Sequence, residues 1–207
     1  MRELTGRAAR RLIVGAALLG PFAGWASTAA AQDALMSPAG GSLRGGYLVT
    51  AYPVLIPGGE DEAGFFLRGA YGATERLDVR ASLGFYNDLT YLSATGDLQL
   101  GRRGPVDLSL SLGIHHSNFV EDSADILGLD LAIVGHRPVA SRFALYGAFD
   151  LDFERPEAPF DAFTRARFIA GVEFALLDRM SLLAEGGLGF NDRSPDYLSV
   201  GLGVRLR

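Results

Sequence analysis

The segment Ile114-His115-His116-Ser117-Asn118 gathers the residue types in this chain best suited to catalysis. Imidazole, hydroxyl and carboxamide groups side by side hold the parts of an activated hydroxyl, once an acid orients the His. Asp150 and Asp152 form a second pattern. Spaced two apart, they fall on one face of a strand, where paired carboxylates activate water or, more commonly, balance Arg. An Asp/His peptidase built from such carboxylates with His115 and His116 is one reading. The run Glu121-Asp122-Ser123-Ala124-Asp125 is acidic but lacks the spacing of a calcium loop. Gly58-Gly59 and Gly186-Gly187 come without the helix that a phosphate-cradling turn needs. The sequence contains no Cys, which excludes disulfides and thiolate-held metals. No metal and no cofactor is expected.

The elements that must position these residues are strands. Leu77-Asp78-Val79-Arg80-Ala81-Ser82-Leu83 and Val106-Asp107-Leu108-Ser109-Leu110-Ser111-Leu112 alternate apolar and polar residues strictly, which gives an extended strand one oily and one wet face. Ten segments read this way, near 43–56, 64–73, 76–86, 91–101, 105–116, 124–135, 142–154, 163–176, 180–190 and 196–206. Most reach the roughly 9–11 residues that cross a bilayer on a tilt. The first, with Gly45-Gly46 and Pro53, alternates least, and dropping it with a partner would leave eight strands.

The connections alternate too. Even-to-odd links are mostly tight: Thr74-Glu75, Arg102-Arg103-Gly104, His136 to Ser141, and Leu177-Asp178-Arg179. Odd-to-even links are longer and more acidic: Pro57 to Ala63, Ser117 to Ser123, Arg155 to Ala162, and Asn191 to Pro195; Asn87-Asp88-Leu89-Thr90 is the short exception. After Ala31 only short apolar runs occur, so no helix is expected to cross a membrane. A membrane-spanning reading therefore requires a closed barrel.

The contents of the two faces orient the strands. The polar side carries Arg68, Asp78, Arg80, Asp97, Asp107, Asp130, Asp150, Asp152, Arg165, Arg167, Glu173, Glu185 and Arg205. Charges withdrawn from bulk water need partners, so these are expected to form an Arg–carboxylate network in a small lumen. Ala70, Gly72, Ala132, Gly187, Gly201 and Gly203 would leave them room. The other side carries Leu77, Val79, Leu108, Leu110, Leu112, Phe149, Phe168, Val200 and more, too much bulk for the inside of a ten-strand tube. It is expected to face lipid. Tyr52, Phe65, Tyr71, Phe85, Tyr91, Phe153, Phe163, Phe190 and Tyr197 fall near strand ends and are expected in the aromatic girdles at the two lipid–water boundaries.

The N-terminus reads as a cleaved secretory signal over 1–31. Arg2, Arg7, Arg10 and Arg11 precede an apolar stretch from Leu12 to Ala23, and Ala29-Ala30-Ala31 suit a signal peptidase. Its removal takes four Arg and one Glu from 19 basic and 24 acidic residues, leaving 15 and 23, a net charge near −8 over 32–207. Such a surface argues against nucleic acid as a partner. Every basic residue is Arg.

Gly72-Ala73-Thr74-Glu75-Arg76-Leu77-Asp78-Val79 resembles the turn-and-strand phrase common in small Gram-negative outer-membrane β-barrel proteins, and Ala175-Leu176-Leu177-Asp178-Arg179-Met180-Ser181-Leu182 is a looser copy. The ending Val204-Arg205-Leu206-Arg207 departs from the terminal aromatic usual in that group. The resemblance implies residence in the outer membrane, with outer-membrane lipid and lipopolysaccharide as surroundings and the barrel assembly machinery as a partner in biogenesis. Within the same chain, the His-x-Ser-Asn spacing is similar to the catalytic phrase of outer-membrane lipid A deacylases. That similarity implies His115 as base, Ser117 as nucleophile, Asn118 as oxyanion donor, and Asp125 or Glu121 as the orienting acid. The strand register, however, turns His115 toward the lumen, whereas a lipid-cleaving site should face the bilayer. The expectation is therefore an all-β protein: one closed antiparallel up-and-down transmembrane β-barrel of ten strands, alternatively eight. Its role is read as structural or narrow and pore-like, non-enzymatic, with a deacylase-like hydrolase and a surface-binding protein acting through acidic loops as the alternatives.

Overall fold

The computed structural model describes residues 44–57, 63–86, 89–119, 125–158 and 160–206. The expected signal and its cleavage site, like Glu121, lie outside them. Among the described residues are ten strands: β1 (Tyr47–Leu55), β2 (Ala63–Gly72), β3 (Leu77–Tyr86), β4 (Leu89–Arg103), β5 (Val106–Phe119), β6 (Asp125–Ala140), β7 (Phe143–Pro156), β8 (Phe163–Leu177), β9 (Met180–Gly189) and β10 (Tyr197–Leu206). Each pairs antiparallel with the next, and β1 pairs with β10, closing the sheet. Closure leaves no strand edge, and the eight-strand alternative is excluded because β1 supplies the closing pair. The odd-to-even connections gather at one end, here the loop end. The even-to-odd turns and both ends of the described chain gather at the other, the turn end.

Turn chemistry explains the tight links. In the β2–β3 turn the Thr74 hydroxyl accepts from the Arg76 and Leu77 amides at 3.1 and 3.0 Å. Gly104 turns β4 into β5 with a φ of 62°, a conformation that a side chain disfavours. The expected link from His136 to Ser141 is shorter than its sequence suggests, because β6 runs on to Ala140 and only Ser141-Arg142 turn. Pro138 is tolerated within it because β6 pairs with β5 only as far as His136, so at Pro138 no ladder bond toward β5 is lost. A bulge between Pro138 and Ala140 absorbs the irregularity.

Alternation fixes which side chains enter the barrel. Along β5, Ser109, Ser111, His115 and Ser117 are buried while Leu112 and Ile114 are exposed, at 5% for Ser111 against 54% for Leu112. The same parity runs round the whole sheet: Leu83, Leu98, Leu129, Phe149, Phe168 and Leu202 point out, and Arg80, Asp152 and Arg167 point in. The protein is thus apolar outside and charged inside, the reverse of a soluble barrel.

The interior also holds rings that strand-end position alone assigns wrongly. Tyr52, Tyr91 and Tyr197, expected in the girdles, lie inside the barrel at 0, 4 and 1% exposure. The reason is parity: Tyr52 shares a face with Thr50, Tyr91 with Ser93, and Tyr197 with Ser199, all inward. Phe65, Tyr71, Phe85, Phe153 and Phe190 do face outward. Small residues on neighbouring strands receive the inward rings. A β-carbon at Gly84 would collide with Phe66, at Gly128 with His115, at Gly171 with Tyr146 and at Gly187 with Tyr197.

Candidate functional site in the barrel interior

The charged side chains of the inner face meet in pairs because their strands are neighbours in register. Asp150 stands opposite Arg167 and Asp152 opposite Arg165 on the β7–β8 ladder. Arg167 reaches both acids, donating to Asp150 at 2.6 and 3.1 Å and also to Asp152. Arg165 lies 3.3 Å from Glu154. Across the barrel, Arg80 pairs with Asp97 and donates to Ser111 Oγ at 3.0 Å, while Arg68 donates to Ser82 Oγ at 2.9 Å. Asp78 is buried on the same face. Toward the turn end, Arg205 and the Ser181 hydroxyl both donate to Glu173, at 2.8 and 2.7 Å; from the loop end of β10 the Tyr197 hydroxyl donates to Glu185 at 2.5 Å. Asp107 pairs at the rim with Arg102, at 2.8 and 3.2 Å. Bonds of this charge-assisted kind allow the ions to sit away from bulk water.

His115 lies within this network. Its Nδ1 is 2.5 Å from Asp130 and its Nε2 is 2.9 Å from Glu154. With both nitrogens on carboxylates, the ring has no lone pair to offer a serine. Ser117 is buried two residues along the same inner face. Asn118 and His116 project the opposite way, and Asp125 goes with them: Asn118 donates to it at 2.5 Å, and His116 is 3.6 Å from it. The sequence-derived set His115, Ser117, Asn118 and Asp125 is therefore split between the two faces of one wall. The acids that do hold His115 were reachable by parity, since Asp130 and Glu154 share the inward face of β6 and β7.

A continuous file of side chains runs round the inner wall in its loop-end half. Tyr52 of β1 stacks on Phe66 of β2, centroids 5.5 Å apart and planes 6° from parallel. Tyr91 of β4 meets Phe66 edge-on at 5.6 Å and stacks against the His115 imidazole of β5 at 5.2 Å. His115 then bonds Glu154 of β7, which meets Arg165 of β8. Gly84 and Gly128 on the strands between leave the space that the rings fill. Beneath this file, Ala132, Val134, Tyr146, Ala148, Ile169 and Leu183 form an apolar interior cluster. A polar cavity of about 50 Å³ remains, lined by Arg68, Arg80, His115, Asp130, Asp152 and Arg167 among others. That volume suits a few waters.

The closed ten-strand barrel with an apolar exterior has the architecture of outer-membrane β-barrel proteins. Solved structures of outer-membrane barrels are similar to it to differing degrees. An outer membrane channel from Pseudomonas putida F1 aligns with a TM-score of 0.58 over 83% of this chain and 100% of that chain, at 9% identity. The KdgM porin aligns with a TM-score of 0.49 over 76% of this chain and 98% of that one, at 7% identity. The N-terminal β-barrel domain of Pseudomonas aeruginosa OprF gives 0.40 over 79% and 98%, at 14% identity. At 9% identity the likeness to the Pseudomonas putida channel is one of fold alone. No family model matches the sequence, and no curated protein matches it.

Proposed function

We propose that this chain is an integral outer-membrane β-barrel whose interior is closed to solutes and whose role is structural. The observation that carries the reading is the file from Tyr52 through Phe66, Tyr91, His115 and Glu154 to Arg165. It packs round the inner wall from β1 to β8 by ring contacts and ion pairs, with Tyr52 and Phe66 fully buried, and the cavity beside it holds only about 50 Å³. The exposed leucines and phenylalanines support lipid as the outer environment, and closure of the sheet satisfies the backbone there. Long acidic loops at one end and tight turns at the other support an orientation with the turns in the periplasm. Outer-membrane lipid, lipopolysaccharide and, during biogenesis, the barrel assembly machinery are the partners that go with this reading.

A narrow cation-passing pore is a second reading. It is favoured by the polar cavity and by an excess of inward carboxylates: Asp78, Asp97, Asp130, Asp150, Asp152, Glu154, Glu173 and Glu185 outnumber Arg68, Arg80, Arg165, Arg167 and Arg205 among the described residues. Two measurements decide. Heat-modifiable gel migration in the outer-membrane fraction is expected, and its absence would reject the membrane barrel. In planar bilayers the folded barrel is expected to be silent; unitary, cation-selective steps would replace the structural reading with the pore.

A further inference from the structure

We propose that the turn end of the barrel is a collar that binds anionic phospholipid headgroups; the inference rests on the membrane-barrel reading and adds a ligand class to it. All four turns contribute exposed Arg. Arg76 lies in the β2–β3 turn, Arg102 and Arg103 border the β4–β5 turn, Arg142 lies in the β6–β7 turn with Arg137 near the turn end of β6, and Arg179 lies in the β8–β9 turn. Arg44, exposed just before β1, completes the circuit. Among the described residues, only Glu75 and Asp178 oppose them as exposed acids within those turns, and only Arg102 is committed to a partner acid, Asp107. The loop end has the reverse balance among the described residues: Asp125, Glu157, Asp161, Asp192 and Asp196 against Arg155 and Arg193.

Geometry selects a lipid headgroup rather than a more distant anion. The turns are too short to project, and their backbones are tied into neighbouring strands. The Arg76 carbonyl accepts from the Gln99 amide at 2.7 Å, that of Arg142 from Ala175 at 2.8 Å, and that of Arg179 from Arg205 at 2.8 Å. The backbones of these Arg are thereby fixed at the turn end, beside the lower margin of the apolar exterior. Tyr47 and Tyr71, exposed and packed at a centroid distance of 4.9 Å, mark the same level, where amphipathic rings settle at a lipid–water boundary. A guanidinium presents a planar fork that grips phosphate oxygens in pairs. A ring of them at phosphate height fits phosphatidylglycerol-type headgroups better than zwitterionic ones.

The test uses the folded, full mature barrel in phosphatidylcholine vesicles at low salt, with trace spin-labelled phosphatidylglycerol or phosphatidylcholine. The fraction of immobilised label gives the relative affinity. A preference of about fivefold for phosphatidylglycerol is expected, the scale of one Arg near an anionic surface, and it should shrink in high salt. The triple variant Arg103→Gln, Arg137→Gln, Arg142→Gln is expected to approach parity, as is the separate pair Arg76→Gln, Arg179→Gln, whereas Arg155→Gln at the loop end should keep the preference. Equal affinities in the native protein, or a preference untouched by both collar variants, would overturn the proposal. So would co-sedimentation with purified peptidoglycan, lost on collar substitution, in a protein without lipid preference; that result would assign the Arg to the cell wall. Heat-modifiable migration of the same sample reports insertion separately. An inserted barrel without lipid preference removes the collar alone, and failure to insert removes the membrane reading with it.

Discussion

Arg167 holds two interior carboxylates at once. It is the shared partner of Asp150 and Asp152, and all three are buried. Removing one partner of a buried ion cluster strands the others, so Arg167→Met is expected to cost about 3–5 kcal/mol in urea unfolding from vesicles. Adding Asp150→Asn and Asp152→Asn to it should recover much of that loss; no recovery would mean that the cluster does not act as a unit. His115 and Ser117 are expected to separate in the same assay. His115→Ala removes the imidazole that bridges Asp130 and Glu154 and should destabilise by about 2 kcal/mol or more. Ser117→Ala should stay within about 0.5 kcal/mol. Neither is expected to change lipid A acylation in cells. Loss of a deacylated lipid A species in either variant would restore the hydrolase reading. The residue types of this site and the face they share were legible in the sequence, but which of them pair was not. Proximity along the chain suggested Asp125 for His115, whereas register delivered Asp130 and Glu154 from neighbouring strands.

At the scale of the strand, parity decides more than residue type. Tyr52, Tyr91 and Tyr197 share inward faces with small polar residues, and that spacing, followed to the strand end, would have placed them in the lumen. Their aromatic character alone suggested the girdles. The length of β6 was hidden for a related reason: Pro138 reads as a turn until its pairing on one side only is known. The ring-and-glycine contacts were equally hidden, since only the register shows which glycine lies beneath which ring. Two substitutions test them. Gly187→Ala drives a methyl group into Tyr197, which cannot yield because it is buried and its hydroxyl is held by Glu185; a loss of about 1–3 kcal/mol is expected. Gly69→Ala meets open space on the outer face and should be neutral or stabilising within about 1 kcal/mol. Equal effects at the two positions would mean that the inward rings do not constrain the wall.

For the whole molecule, alternation established the strands but left ten or eight open until the β1–β10 pair closed the sheet, and a two-faced strand has no inherent inside. The direction was legible only from contents: Asp and Arg at mid-strand with glycines beside them, against leucines too bulky for a narrow tube. What the sequence could not convey is the file from Tyr52 to Arg165 that we propose closes the lumen, because it draws on six strands spread along the chain. If that file is the barrier, Phe66→Ala combined with His115→Ala is expected to produce measurable conductance where the native barrel has none, and continued silence would place the barrier elsewhere. The absence of native Cys allows the central claim, apolar faces to lipid around a charged interior, to be tested one position at a time. Nitroxide labels at Ser109→Cys, Leu110→Cys, Ser111→Cys and Leu112→Cys in vesicle-inserted protein should alternate. Positions 110 and 112 are expected to be open to oxygen dissolved in lipid, and 109 and 111 to be shielded from it. Uniform accessibility along the four positions, or oxygen contact at 109 and 111 instead, would contradict the account.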